Sequence, residues 1–211
     1  MEISIINGSP KPGHSTSGYI IDLIVPRISE GNILEIYNIS RGNLQEGQFV
    51  KIQNCDVLVL AFPLYVDSIP SHMLRFMAEL EERGFASKNT MVYCIINNGF
   101  FEGKQNRIAT MQVKNWCKRT GIVWGQAIGA GAGEMIPMLK DIPMGHGPNK
   151  SIFNVLECFS ANIMGKKAGE DIYFSPDWPR WLWKIQASFC VWYPRARANK
   201  LTKRDLYAAG K

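Results

Sequence analysis

EISIINGSPKPGHSTSGYIIDLI, residues 2–24, carries the reading on which the fold turns. Glu2 to Ile6 is a short apolar run suited to a buried strand. Residues 17–28 repeat Ile20, Leu23, Ile24 and Ile28 at helical spacing. Between them, residues 7–19 pack glycine, proline, serine, threonine, lysine and histidine into one tight connection. A strand that turns through such a loop directly into a helix is the opening of a parallel strand–helix–strand unit.

The loop nearly matches a triphosphate-binding pattern. Gly8, four residues, Gly13, His14 and Ser15 follow that spacing, but His14 stands where the pattern has lysine, and Lys11 sits inside the loop. The third strand of the pattern ends Ala61-Phe62-Pro63, with no carboxylate to hold a metal, which argues against a nucleoside triphosphatase. No G-x-G-x-x-G follows the first strand, and Gly129, Gly131 and Gly133 have the wrong spacing for a dinucleotide loop. A cradle for one terminal phosphate remains. Ser9, Ser15, Thr16 and Ser17 offer hydroxyls, Lys11 and His14 lie in the same loop, and Gly13 and Gly18 allow close backbone approach. The helix behind them aims N–H groups and the positive end of its dipole at an anion. A plain helix cap needs one serine; three hydroxyl residues in succession exceed that need.

Further along the chain, strand-like runs at 32–37, 55–62, 90–96 and 122–128 alternate with helix-like runs at 69–83, 105–119 and 150–164. This alternation predicts an α/β fold: a doubly wound, five-stranded parallel sheet of order 2-1-3-4-5, helices on both faces, and a C-terminal helical extension. Residues 1–170 are assigned to the sheet domain and 171–211 to an aromatic, basic extension. In such sheets ligands bind beyond the carboxyl ends of the strands.

Each strand end carries something a ligand could use. Pro63, Leu64, Tyr65 and Val66 follow the third strand, where an aromatic ring can lie against a planar ligand. Asn97, Asn98, Gly99 and Phe100 follow the fourth, with amides suited to the polar edge of a heterocycle. Gly131 belongs to the small-residue run after the fifth. Phosphate cradle, aromatic, amides and a glycine-lined opening together describe a site for flavin mononucleotide (FMN). Taken singly, the last three are ordinary turn chemistry.

INGSPKPGHSTSGY, AFPLYVDSIPSHMLRF and NNGFFEGKQN resemble the flavodoxin-like NAD(P)H-dependent FMN reductase and quinone reductase family, over roughly residues 1–135. The resemblance implies FMN with its phosphate on Ser9, Ser15, Thr16 and Ser17, its ring flanked by Pro63, Leu64 and Tyr65, and its edge met by Asn97 to Phe100. It also implies NADH or NADPH as electron donor, a quinone, flavin or other small molecule as acceptor, and a homodimer with the flavin near the subunit interface. No acid–base residue is assigned, and His14 and His72 are candidates for that role by position alone. An FMN electron carrier of the flavodoxin type is the alternative, disfavoured because flavodoxins are strongly acidic. A flavin-free interaction protein on the same fold is a third.

Charge and cysteine usage narrow the rest. Residues 1–175 contain 16 basic and 16 acidic side chains, so the body is no nucleic-acid binder by charge. Residues 176–211 hold 8 basic and 2 acidic ones and account for the net +6. Five scattered cysteines with no C-x-x-C pair argue for a reduced, cytoplasmic protein without disulfides or a metal site, and the N-terminus reads as no secretory signal. Residues 176–199 contain four of the six tryptophans. They are expected to pack on the body or on a second subunit. Membrane contact is the lesser alternative, because Pro179 and Pro194 should break a long amphipathic helix.

Overall fold

A computed structural model describes residues 1–11, 14–40, 44–202 and 204–205. It divides into two compact units, Met1–Pro176 and Asp177–Lys211.

The first unit begins β1 (Glu2–Asn7), α1 (Thr16–Ile28), β2 (Ile33–Asn38), α2 (Glu46–Asn54), β3 (Val57–Pro63), α3 (Ser71–Arg83) and β4 (Met91–Asn97). It continues α4 (Arg107–Thr120), β5 (Val123–Ala130), α5 (Lys150–Met164) and β6 (Ile172–Phe174). The strands form one parallel sheet of order β2-β1-β3-β4-β5-β6. The expected five strands keep their order, and the count is corrected to six. The sixth has three residues, paired with Ile128–Ala130, too short to show a period of its own. It lies inside the segment assigned to the extension. The helix α2 was also not expected; only Phe49 and Ile52 of its residues are buried, which is a faint apolar stripe.

Burial on both faces explains why β3 reads as an unbroken apolar run. Val57, Val59 and Ala61 join the core with Ile20 and Ile24 of α1 and Leu156 and Phe159 of α5. Leu58, Leu60 and Phe62 point the other way, into the core with Phe49, Met73, Phe76 and Val113 of α2, α3 and α4. The neighbours of β1 are β2 on one side and β3 on the other, so the chain reverses its direction of winding at β1. The carboxyl ends of β1, β3 and β4 therefore meet at the switch point where such sheets bind ligands.

The second unit contains α6 (Arg180–Gln186), a π-helical turn (Ala187–Trp192) and α7 (Tyr193–Ala198) in direct succession. Helical structure thus runs without interruption from 180 to 198, which corrects the expectation that proline would break it. Pro179 sits at the N-cap of α6, where no donor is required. Pro194 enters just after the π turn, whose Tyr193 N–H bonds to Ser188 carbonyl, five residues back. The wider turn absorbs a ring that would collide with the i−4 carbonyl in a regular α-helix.

Candidate functional site

A cleft opens at that switch point, with about 620 Å³ of empty space including its mouth. Ser9, Lys11, Ser15, Thr16 and Ser17 line one side; Pro63, Leu64, Tyr65, Asn97, Asn98 and Gly99 line the other. The loops predicted to form the site therefore do converge.

The first loop is held from below. Asn7 Oδ1 accepts from Ser9 N–H at 3.1 Å, and Gly8 N–H donates to Ala61 carbonyl at 2.7 Å. His72 Nε2, on α3, donates to Gly8 carbonyl at 2.9 Å, so this histidine ties a helix to the loop. A Cβ on Gly8 would meet Met73 Sδ at 3.0 Å and Phe62 Cβ at 3.2 Å, so these neighbours would have to give by a few tenths of an ångström to admit one. Ser15 is the N-cap of α1: its backbone is extended, and its Oγ accepts from Gly18 N–H at 3.1 Å. The Thr16 and Ser17 amides, also in the first turn of α1, have no intrahelical acceptor, and both residues line the cleft.

Three hydroxyls in a row turn out to have three different tasks. Ser15 caps the helix. Thr16 Oγ1 donates to Gly133 carbonyl at 3.0 Å, joining the first loop to the one after β5. Ser17 is buried, and its Oγ donates to Asn97 Oδ1 at 2.7 Å, joining α1 to the end of β4. The hydroxyl protons of Thr16 and Ser17 are thus spent on building the cleft, while the Ser9 and Ser15 hydroxyls, which accept from Lys11 and Gly18 N–H, have no acceptor of their own among the described residues.

The opposite wall has one unmet polar demand. Asn98 is buried; its Nδ2 donates to Glu102 carbonyl at 3.3 Å, but its Oδ1 has no hydrogen-bond partner among the described residues. A buried carboxamide with one end unsatisfied costs about 1–3 kcal/mol, which a ligand's donor would recover.

Tyr65 stands in a two-residue hairpin: its N–H and carbonyl exchange bonds with Ser68, both at 3.0 Å. Val66 and Asp67 form the tip at φ 46° and 58°. Two successive left-handed residues make a type I′ turn, a conformation that normally calls for Asn-Gly. A β-branched residue there is strained.

The remaining predicted residues lie elsewhere. Val66 is 98% exposed at the hairpin tip, His14 is exposed outside the wall, and Phe100 is exposed beyond Gly99. Gly131 is buried, with its N–H on Phe174 carbonyl at 2.8 Å; a Cβ there would meet Phe101 carbonyl at 2.1 Å, so its glycine serves backbone packing. Gly13 lies outside the described residues. Glu134 lines the cleft without having been anticipated, and its carboxylate lies 3.7 Å from Lys11 Nζ across the mouth. The only sequence signal for it was an acidic residue closing the small-residue run after β5. Among the described residues no group of histidine, cysteine and carboxylate could hold a metal ion.

No protein-family model and no curated protein sequence matches the chain. Solved structures do. An apo NADH:FMN oxidoreductase superposes with a TM-score of 0.60 at 12% identity, over 80% of this chain and 91% of its own. An FMN-dependent NADH-azoreductase from Bacillus anthracis, solved with FMN, gives 0.58 at 12% identity over 78% and 100%. A short-chain flavodoxin associated with a bacterial microcompartment gives 0.57 at 12% identity over 80% and 100%. At this identity the likeness establishes the fold: the chain is flavodoxin-like, as its first loop and strand alternation led one to expect.

Proposed function

We propose that the chain is an FMN-dependent oxidoreductase that takes reducing equivalents from NADH or NADPH and delivers them to a small acceptor such as a quinone or flavin. The observation that carries this reading is the convergence of a helix N-terminus, free hydroxyls and Lys11 with an unsatisfied Asn98 carboxamide in one cleft. One end suits a phosphate dianion; the other suits the hydrogen-bonding edge of a planar heterocycle. Ser9, Ser15, Lys11 and the first-turn amides of α1 would hold the phosphate. Pro63, Leu64 and Tyr65 would border the ring, with Asn98 and Gly99 at its edge. Bound there, FMN would supply the redox chemistry.

The chain's own part is positional. Thr16 and Ser17 brace the anion end against the loops after β5 and β4. Lys11, paired with Glu134 at an exposed mouth, can exchange that partner for a phosphate at little cost, because exposed ion pairs contribute roughly 0–1 kcal/mol. Tyr65, half exposed beside the cleft, offers a flat surface at the open side. Both reductase neighbours are named for NADH, which supports nicotinamide as donor. A homodimer belongs to the same reading, and sedimentation would test it.

The purified protein is expected to be yellow or to take up added FMN stoichiometrically, and to oxidise NADH or NADPH when a quinone is present. A colourless protein that binds no FMN would defeat the proposal. The flavodoxin neighbour favours a second reading, a non-enzymatic electron carrier; FMN binding without turnover of either nucleotide would select it.

A further inference from the structure

The unbroken helical run from 180 to 198 presents a feature that the flavin reading does not use. Trp181, Ile185, Phe189 and Trp192 stand four, four and three residues apart, the spacing of one helix face. They are 64%, 47%, 61% and 55% exposed. The face is mostly aromatic, and α6 buries none of its residues. Arg180 and Lys184, one position before Trp181 and Ile185, lie around the helix beside the stripe and are exposed, as are Arg195 and Arg197 in α7. The second unit concentrates the molecule's whole net charge, with eight basic against two acidic residues from 176 to 211.

We infer that this face is a membrane-surface anchor: the stripe inserts at the headgroup level of an anionic phospholipid bilayer while the flanking arginines and lysines meet the lipid phosphates. Three properties select this occupant. The stripe is rich in tryptophan, whose ring suits the boundary between hydrocarbon and water. Its flanks are basic, and each lysine or arginine close to an anionic leaflet adds about 1 kcal/mol of attraction. A second copy of the same face would bring two strongly positive tails together, which opposes pairing through the stripe. The segment lies on the surface rather than through it, since no described helix is long and apolar enough to cross a membrane. The inference stands apart from the flavin proposal, because it uses none of the cleft's residues.

The test is flotation of the full-length protein with phosphatidylcholine vesicles, with and without phosphatidylserine. Wild type is expected to float with the anionic vesicles, to shift its tryptophan emission to the blue, and to lose both on raising the salt. Phe189→Ser together with Trp192→Ser should lower partitioning on the order of a hundredfold. Arg180→Glu with Lys184→Glu keeps the aromatic stripe and should abolish the preference for phosphatidylserine, with the far-UV circular dichroism of both variants unchanged. Absence of wild-type flotation would overturn the inference, as would equal flotation of the aromatic double variant. Loss of self-association in that variant, with no vesicle binding by wild type, would instead make the face a contact between copies.

Discussion

The helix α3 and the helical tail carry the same apolar rhythm and meet opposite fates. Met73, Phe76, Met77 and Leu80 are all buried against the sheet. Trp181, Ile185, Phe189 and Trp192 repeat at similar spacing and stay exposed. Periodicity states only that a helix has an apolar side. What covers that side depends on whether another layer of the same chain is available, and in the first unit both faces of the sheet supply one.

The contrast can be broken most sharply by thiol chemistry. Burial pushes the Cys55 and Cys117 thiols up to about 12 and Cys94 well above its usual value, whereas Cys158 and Cys190 are exposed. At pH 8 a thiol of pKa 12 is roughly one part in 10,000 thiolate, and it is sterically closed as well. Two of the five thiols should react rapidly with a disulfide reagent in native protein, including Cys190 in the π turn, and the other three only in denaturant. A third fast thiol would show that a sheet face opens.

The anion end of the cleft offers the next largest effect. Ser15→Asp preserves the helix cap, because aspartate caps as well as serine, but sets a carboxylate where the phosphate is proposed to lie. At close range this costs about 4 kcal/mol, close to a thousandfold in FMN affinity. Riboflavin, lacking the phosphate, should change little. Fluorescence quenching with both ligands measures the difference, and an equal loss for the two would remove the phosphate from this loop.

The two apolar faces can then be compared directly. Leu80→Ala leaves a cavity in a packed core and should cost about 2–5 kcal/mol in urea unfolding. Ile185→Ala, on the exposed stripe, should stay within about 0.5 kcal/mol. A large loss from Ile185→Ala would mean the stripe is already covered in the free protein.

Much of this was readable in advance for physical reasons. Strands buried on both faces write long apolar runs, so β1, β3, β4 and β5 announced themselves, and the loop after β1 showed its hydroxyls and glycines in consecutive positions. Where a feature depended on three residues or two side chains, as in β6 and α2, there was too little periodicity to see. The cleft was legible as a set of strand ends, yet the division of labour among Ser15, Thr16 and Ser17 was not.

What the sequence by itself determined is the alternation of strand and helix, the polar loops at one sheet edge, the neutral body and the basic tail. These follow from local spacing and composition, which each segment carries alone. Only the tertiary structure decided which hydroxyls remain for a ligand, because Thr16 and Ser17 are claimed by Gly133 and Asn97, far away in the chain. It likewise set Glu134 against Lys11 and left Asn98 one bond short. In the tail it replaced an expected break at Pro194 with a π turn, and so brought Trp181 and Trp192 onto one exposed face with Ile185 and Phe189. Hydrogen bonds between distant segments and the path of a helix past a proline depend on where neighbouring atoms come to rest, and no local pattern encodes that.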